Sequence, residues 1–349
     1  MLDSVAIAYG ETEQGGATRV ALTLTTADGA ASFGVFEETL YPGLDGRIVL
    51  EELYDLVQPY LRKHLAMQFT VSATPAGGEA VSTSATLLYA AVDTSLSAQA
   101  FTTSHFLTTL DGAKITAMGR EERLSAYGLS QGETVSVKGL LSLPDGMEET
   151  APAPLMALNA DGVTGISVFD VSPQAMAATL EVDGEALVGY TIEAGARSQQ
   201  FIVTREQTPP APSLYFVNSF GCHEFLHCVG LHKKVSKYDR RAARLAGMKR
   251  NYYIEEDRQF TAETGWLNPP MADWADELFR SDEVYVWDRL NNAVFKEVAL
   301  SDSKSDLSNA DDELVSFSFV YGYAQRLHNV MQPGRRGRVF DNTFDHTFN

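Results

Sequence analysis

The amino-acid sequence predicts a mainly β protein, on three observations: recurrent Asp-Gly turns between strand-like runs, a proline-rich break past the midpoint, and a change of composition beyond that break. Asp-Gly occurs at Asp28-Gly29, Asp45-Gly46, Asp111-Gly112, Asp145-Gly146, Asp161-Gly162 and Asp183-Gly184, and never afterwards. Both central positions of a type I′ hairpin turn need φ > 0, which glycine accepts freely and aspartate tolerates. The expected layout is two small β-sandwich-like domains, 1–95 (with one helix) and 96–207. A third β-sandwich with one short helix follows over 208–332, then an extended arm, 333–349.

In the first domain, Arg19 to Thr26 and Ser32 to Thr39 read as strands on either side of Asp28-Gly29. Leu50, Leu53, Leu56, Val57, Tyr60 and Leu61 then share one face at helical spacing, a stripe that reads as core packing. Pro59 weakens the last turn of that helix, which should be short or kinked. A break is expected near residues 93 to 100. In the second domain Leu180 to Val182 and Ala186 to Ile192 read as strands flanking Asp183-Gly184.

Thr208-Pro209-Pro210-Ala211-Pro212 excludes regular helix and central strand, because each proline lacks a donor and restricts its predecessor. Beyond it lie all three tryptophans (Trp266, Trp274, Trp287), both cysteines and most of the basic residues. Asn268-Pro269-Pro270 looks like a helix start, with Met271, Trp274, Ala275 and Leu278 on the core face. Arg250 to Glu256, Glu283 to Asp288, Ala293 to Leu300 and Leu314 to Ala324 read as strands, the last alternating Val315, Phe317, Phe319 and Tyr321. The ending, with Phe340, Phe344 and Phe348 at a four-residue period, has too little core to fold alone and reads as an arm that orders on a neighbouring subunit or as a frayed tail.

The 349 residues carry a formal charge of −19, of which residues 1–205 hold −15, from 25 acidic and 10 basic side chains. Such a surface disfavours the nucleic-acid backbone and suits a partner with a basic face. The first nine residues have no basic flank or apolar stretch of a signal peptide, no later run approaches a membrane span, and cytoplasmic synthesis is expected. Cys222 and Cys228, six apart, give no disulfide framework.

One motif resembles chemistry. His223-Glu224-Phe225-Leu226-His227 matches HExxH, which on a helix aims two imidazoles at zinc while the glutamate acts as general base. Gly230 and His232 follow, one residue short of the extended metzincin spacing, and Cys222 and Cys228 flank the motif as substitute ligands. Its context is strand-like, however: Leu214 to Val217 precedes it and Ser219-Phe220-Gly221 makes a poor helical turn. As a strand, the segment sends His223, Phe225 and His227 to one face and Glu224 to the other, which breaks up a metal site. The strand is the preferred reading, so no catalytic, cofactor-binding or metal-ligating residue is assigned and no enzyme is expected. The zinc peptidase stays as an alternative. Lys233 to Arg250 holds eight basic residues against Asp239, with Tyr238 its single aromatic, and reads as a solvated strand pair or as an interface facing the acidic half of another subunit. Glu255-Glu256-Asp257 and Asp311-Asp312-Glu313 read as solvated turns or edges.

Residues 213 to 325 resemble the β-sandwich of phage tail proteins of the distal-tail, tail-tip or baseplate type. The matching stretches are Arg250-Asn251-Tyr252-Tyr253-Ile254, Glu263-Thr264-Gly265-Trp266-Leu267, the helix with Trp274, Leu278 and Phe279, Val284-Tyr285-Val286-Trp287, Val298 to Lys304, and Val315 to Ala324. The ending Phe340-Asp341-Asn342-Thr343-Phe344-Asp345 is similar to proteins of phages and prophages of gut Bacteroidetes. About a third of the chain is covered. The resemblance implies a non-enzymatic virion subunit assembled in host cytoplasm as a homo-oligomeric ring, most plausibly sixfold, beside other tail or baseplate proteins, with no specific nucleic-acid binding. A surface adhesin or glycan-binding protein of tandem β-sandwiches is the remaining alternative.

Overall fold

The structure is a computed structural model and describes residues 5–8, 16–129, 133–161, 164–205, 212–288, 294–304 and 315–324. The chain is mainly β with a few short helices. The linker residues 206–211, Gly162, the acidic run Asp311-Asp312-Glu313 and the arm 333–349 lie outside the described residues.

The first unit comprises β1 (Val5–Ala8), β2 (Thr18–Thr26), β3 (Ser32–Leu40), β4 (Arg47–Leu50), α1 (Leu53–His64), β5 (Ala66–Pro75) and β6 (Val81–Leu88). An antiparallel sheet runs β3-β2-β5-β6, and β1 pairs separately with β4. Asp28-Gly29 turns β2 into β3, with Gly29 at φ 71°. Alternation along β2 sends Val20, Leu22 and Leu24 to one face, where they meet Leu53, Val57 and Leu61 of α1. The helix does not stop short: it runs through Pro59, whose ring is on the exposed side, and three buried side chains outweigh the loss of one main-chain bond. Leu56, expected on the buried stripe, is exposed.

The second unit comprises α2 (Ala98–Ser104), β7 (Lys114–Ala117), β8 (Arg123–Tyr127), β9 (Ser136–Leu143), β10 (Gly146–Glu149), β11 (Ala153–Pro154), β12 (Asn159–Asp161), β13 (Ile166–Asp170), α3 (Pro173–Thr179), β14 (Leu187–Ala194) and β15 (Arg197–Thr204). Six strands form one sheet, β10-β9-β14-β15-β7 with β11 also on β9, and β12-β13-β8 form another. Phe106, Leu124, Val137, Phe169, Met176, Tyr190, Ile192 and Phe201 make their common core. Residues 180–182 are not the strand expected: they form the turn after α3, which starts with Pro173 at its first position and buries Met176 and Ala177.

The third unit comprises β16 (Ser213–Val217), β17 (His223–His227), β18 (His232–Leu245), β19 (Met248–Glu263), α4 (Pro269–Ala275), α5 (Glu277–Arg280), β20 (Val284–Asp288), β21 (Val294–Lys304) and β22 (Ser318–Tyr323). One seven-stranded antiparallel sheet runs β17-β16-β20-β21-β22-β19-β18. The Asn268 side chain accepts a hydrogen bond from Met271 N–H and starts α4, as the sequence predicts. Met271, Trp274 and Leu278 then pack on Phe216, Leu226 and Phe319 from the sheet and on Phe317 just before β22.

The β18–β19 pair extends well past that sheet. Its fourteen residue pairs run from His232↔Ala262 to Leu245↔Met248, but β19 meets β22 only over Gln259 to Glu263. From Lys237 to Leu245 the ribbon therefore has no third strand among the described residues, a reach of about 30 Å at roughly 3.3 Å per residue.

Candidate functional site

The HExxH residues form β17, so the strand expected for this segment is what the structure shows. β17 pairs antiparallel with β16, in the register Val217↔His223, Phe216↔Glu224, Tyr215↔Phe225 and Ser213↔His227. His223 stacks on Tyr215 with ring centroids 4.5 Å apart, while Phe225 stacks on His227. Glu224 points the other way and accepts a hydrogen bond from Trp274 Nε1 at 2.6 Å.

Both ring nitrogens of His227 are engaged. The Ser213 hydroxyl lies 2.7 Å from Nδ1, and Nε2 lies 2.9 Å from the main-chain oxygen of Glu121. A carbonyl only accepts, so Nε2 carries the proton and Nδ1 accepts from Ser213. Burial pushes the His227 pKa down, against the upward pull of Glu122, whose Oε1 is 3.3 Å from Nε2. The imidazole is held neutral, and its lone pair is committed to a hydroxyl. Burial likewise lowers His223, against Glu283. It also raises both cysteine thiols to about 12, so both are protonated near neutral pH. Cys222 packs with Leu107, Ile166 and Phe220, whereas Cys228 lies in the core with Trp274, so the two flank different clusters. His232 stacks on Phe260 and meets Tyr321 Oη at 3.0 Å. Gly230 is where it is for space: a Cβ there would come 2.9 Å from the Glu263 carbonyl oxygen. Among the described residues no group of three or more His, Cys, Asp or Glu side chains is placed to hold a metal.

What β17 joins instead is a buried polar network between the second and third units. Lys114 Nζ, on β7, meets Glu122 Oε2 at 2.7 Å and donates to the Phe225 carbonyl at 2.8 Å. It also sits 4.3 Å from the Trp274 ring centroid, a cation–π contact. Lys114, Glu122, Glu224 and His227 are all buried. Desolvation raises the Glu122 carboxyl, but the Lys114 charge, with His227 Nε2 close by, overcomes it and holds the group at about 2. For Glu224 desolvation prevails over Lys114, and the carboxyl is pushed up to about 7. Two glutamates near one lysine are thus driven apart, one ionised and one largely neutral below pH 7.

Ser213, His227 and Glu122 together have the elements of an activated nucleophile. The sequence reasoning missed this trio, since Glu122 is distant in the chain and Ser213 meets His227 only through strand register. All three side chains are buried and Nε2 is spent on a main-chain carbonyl, so the arrangement presents no nucleophile to a substrate. It ties β16, β17 and the 120–122 segment together.

The basic run forms the exposed β18–β19 ribbon. Glu255, Glu256 and Asp257 lie on β19, where Glu256 pairs with Arg258 at 2.8 Å. An open crevice between α1, β6 and α2 is lined mainly by apolar side chains, including Leu61, Leu87, Phe101 and Phe220.

No protein-family model matches the chain, and no curated protein matches it. Among solved structures, it is similar to one described as concerning host cell surface retention of a 1.5-MDa bacterial ice-binding adhesin, with 10% identity over 84% of this chain and 88% of that one and a TM-score of 0.14. Another is a Ca2+-stabilized adhesin of an ice-binding Antarctic bacterium, with 12% identity, 84% and 67% coverage and a TM-score of 0.13. TM-scores this low carry no argument about fold or function.

Proposed function

We propose that the chain is a non-catalytic structural subunit that assembles with copies of itself, in a phage tail tip or baseplate. The β18–β19 ribbon is the observation that carries the self-assembling part of this reading. A two-stranded ribbon alone in water is marginally stable, and this one leaves Tyr238, Met248, Tyr252 and Ile254 exposed. Such an arm gains its stability from another surface, and a homo-oligomer supplies one at fixed geometry. The HExxH segment supports the non-catalytic part, because its side chains are consumed by packing and by the buried network. The assignment to a tail rests on the sequence resemblance over residues 213 to 325.

Particle composition tests this directly. Phage particles purified from a producing culture are expected to contain the chain in the tail fraction, at a fixed number of copies relative to the tube protein. Its absence from particles, with the protein recovered free in the lysate, would refute the tail assignment.

A further inference from the structure

The ribbon tip is chemically matched to one surface of the first unit. Residues 240–251 carry Arg240, Arg241, Arg244, Lys249 and Arg250 and no acidic residue, in a chain whose net charge is −19. Arg244 and Lys249 are directly opposed across the ribbon, an arrangement of like charges that costs stability unless something outside supplies negative charge. Beside them Met248, Tyr252 and Ile254 are exposed, and Tyr252 sits where the register shifts between Arg241 and Ala242.

Residues 41–56 show the complementary chemistry. Asp45, Glu51, Glu52 and Asp55, against Arg47 alone, are all exposed. Interspersed among them are Tyr41, Leu44, Val49 and Leu56, exposed apolar side chains that the first core leaves uncovered. Both surfaces are open within one chain, so the tip does not cover this segment of its own molecule.

We infer that the ribbon tip of one copy docks on the 41–56 segment of a second copy, with Arg240, Arg244 and Lys249, which share one face of the ribbon with Ile254, facing the Asp45, Glu51, Glu52 and Asp55 carboxylates. Ile254 then covers Leu44 and Val49. This rests on the self-assembly reading above and adds the acceptor surface. Because the donor and acceptor patches differ, the contact is heterologous, the kind that gives a ring where the rotation between neighbours closes and an open filament where it does not. Its charged part weakens as salt rises.

The test is charge exchange on the full-length chain, read by light scattering at low and high salt. Arg240→Glu/Arg244→Glu/Lys249→Glu and Glu51→Arg/Glu52→Arg change only exposed positions, and tryptophan emission checks that the third unit stays folded. Each variant alone is expected to lose at least tenfold in association, while the chain carrying both sets associates as the natural protein does. A second measurement does not depend on charge. Arg244→Cys mixed with Glu52→Cys should form an intermolecular disulfide under mild oxidation, with Cys222 and Cys228 too buried to compete. Assembly of the natural chain with both variants unaffected and no crosslink would overturn the acceptor assignment and leave the structural role standing. A monomeric natural chain would overturn both. Loss of duplex DNA binding in the tip variant, with assembly unchanged, would reassign the tip to a nucleic-acid backbone.

Discussion

Replacing Glu224 by glutamine isolates one member of the buried network at nearly constant shape. The carboxyl is fully buried, accepts from Trp274 Nε1, and is pushed by burial from 4.5 to about 7. Its folded value exceeds its unfolded value, so its favourable contribution is complete below pH 4.5 and is lost as pH rises through about 7. A gap of roughly 2.5 pH units, at about 1.4 kcal/mol each, makes the wild-type protein about 3 kcal/mol less stable at pH 8 than it would be with a neutral group there. Glutamine keeps the oxygen that accepts from Trp274 and cannot ionise. Urea unfolding followed by tryptophan emission reports on the third unit, since all three tryptophans lie in it. Relative to wild type, Glu224→Gln is expected to gain about 2–3 kcal/mol between pH 5 and pH 8 and to be the more stable protein at pH 8. A stability difference that does not change with pH would refute the assignment of a neutral buried carboxyl to this position.

The opposite sign holds for Glu122. Its folded value, about 2, lies below its unfolded value, so the stability it contributes is present above pH 4.5 and lost as pH falls through 2. Lys114→Met removes its cation and should cost about 3–5 kcal/mol at pH 7, with the loss shrinking in unfolding curves taken below pH 4.5. Chelators should leave the thermal unfolding temperature unchanged, because the His227 lone pair is committed to Ser213 and among the described residues no group of three or more His, Cys, Asp or Glu side chains is placed to hold a metal; a fall of several degrees on chelation would contradict this. Gly221→Ala should destabilise by about 1–3 kcal/mol, since Gly221 sits at φ +74° and its added Cβ would run into Leu65 Cδ2 of the first unit. Urea midpoints for this variant within error of wild type would contradict the left-handed turn at Gly221 against Leu65.

Local chemistry made much of this architecture legible. The Asn268 cap with two prolines behind it, the Phe317/Phe319/Tyr321 alternation and the strand-like entry to His223 each carry their information within a few residues. Helices α2 and α3 were missed although Ser97 and Ser172-Pro173 are start signals, because their apolar content is too small to outweigh the surrounding β pattern. Leu56 was misplaced for a related reason: a helix against a narrow sheet buries a thinner stripe than its apolar residues suggest. The buried network was invisible, since Lys114, Glu122, Ser213, Glu224 and Trp274 meet only through packing between units. The basic run pointed to an exposed strand pair, but only the register of β19 against β22 shows how far that pair stands clear of the sheet.

Self-assembly is the central claim, and the mass of the full-length protein in solution tests it most directly. Light scattering at micromolar concentration and low salt is expected to give one species at an integral multiple of the 38.1 kDa chain mass, six copies by the ring reading. A strict monomer at every concentration and salt tested would contradict it.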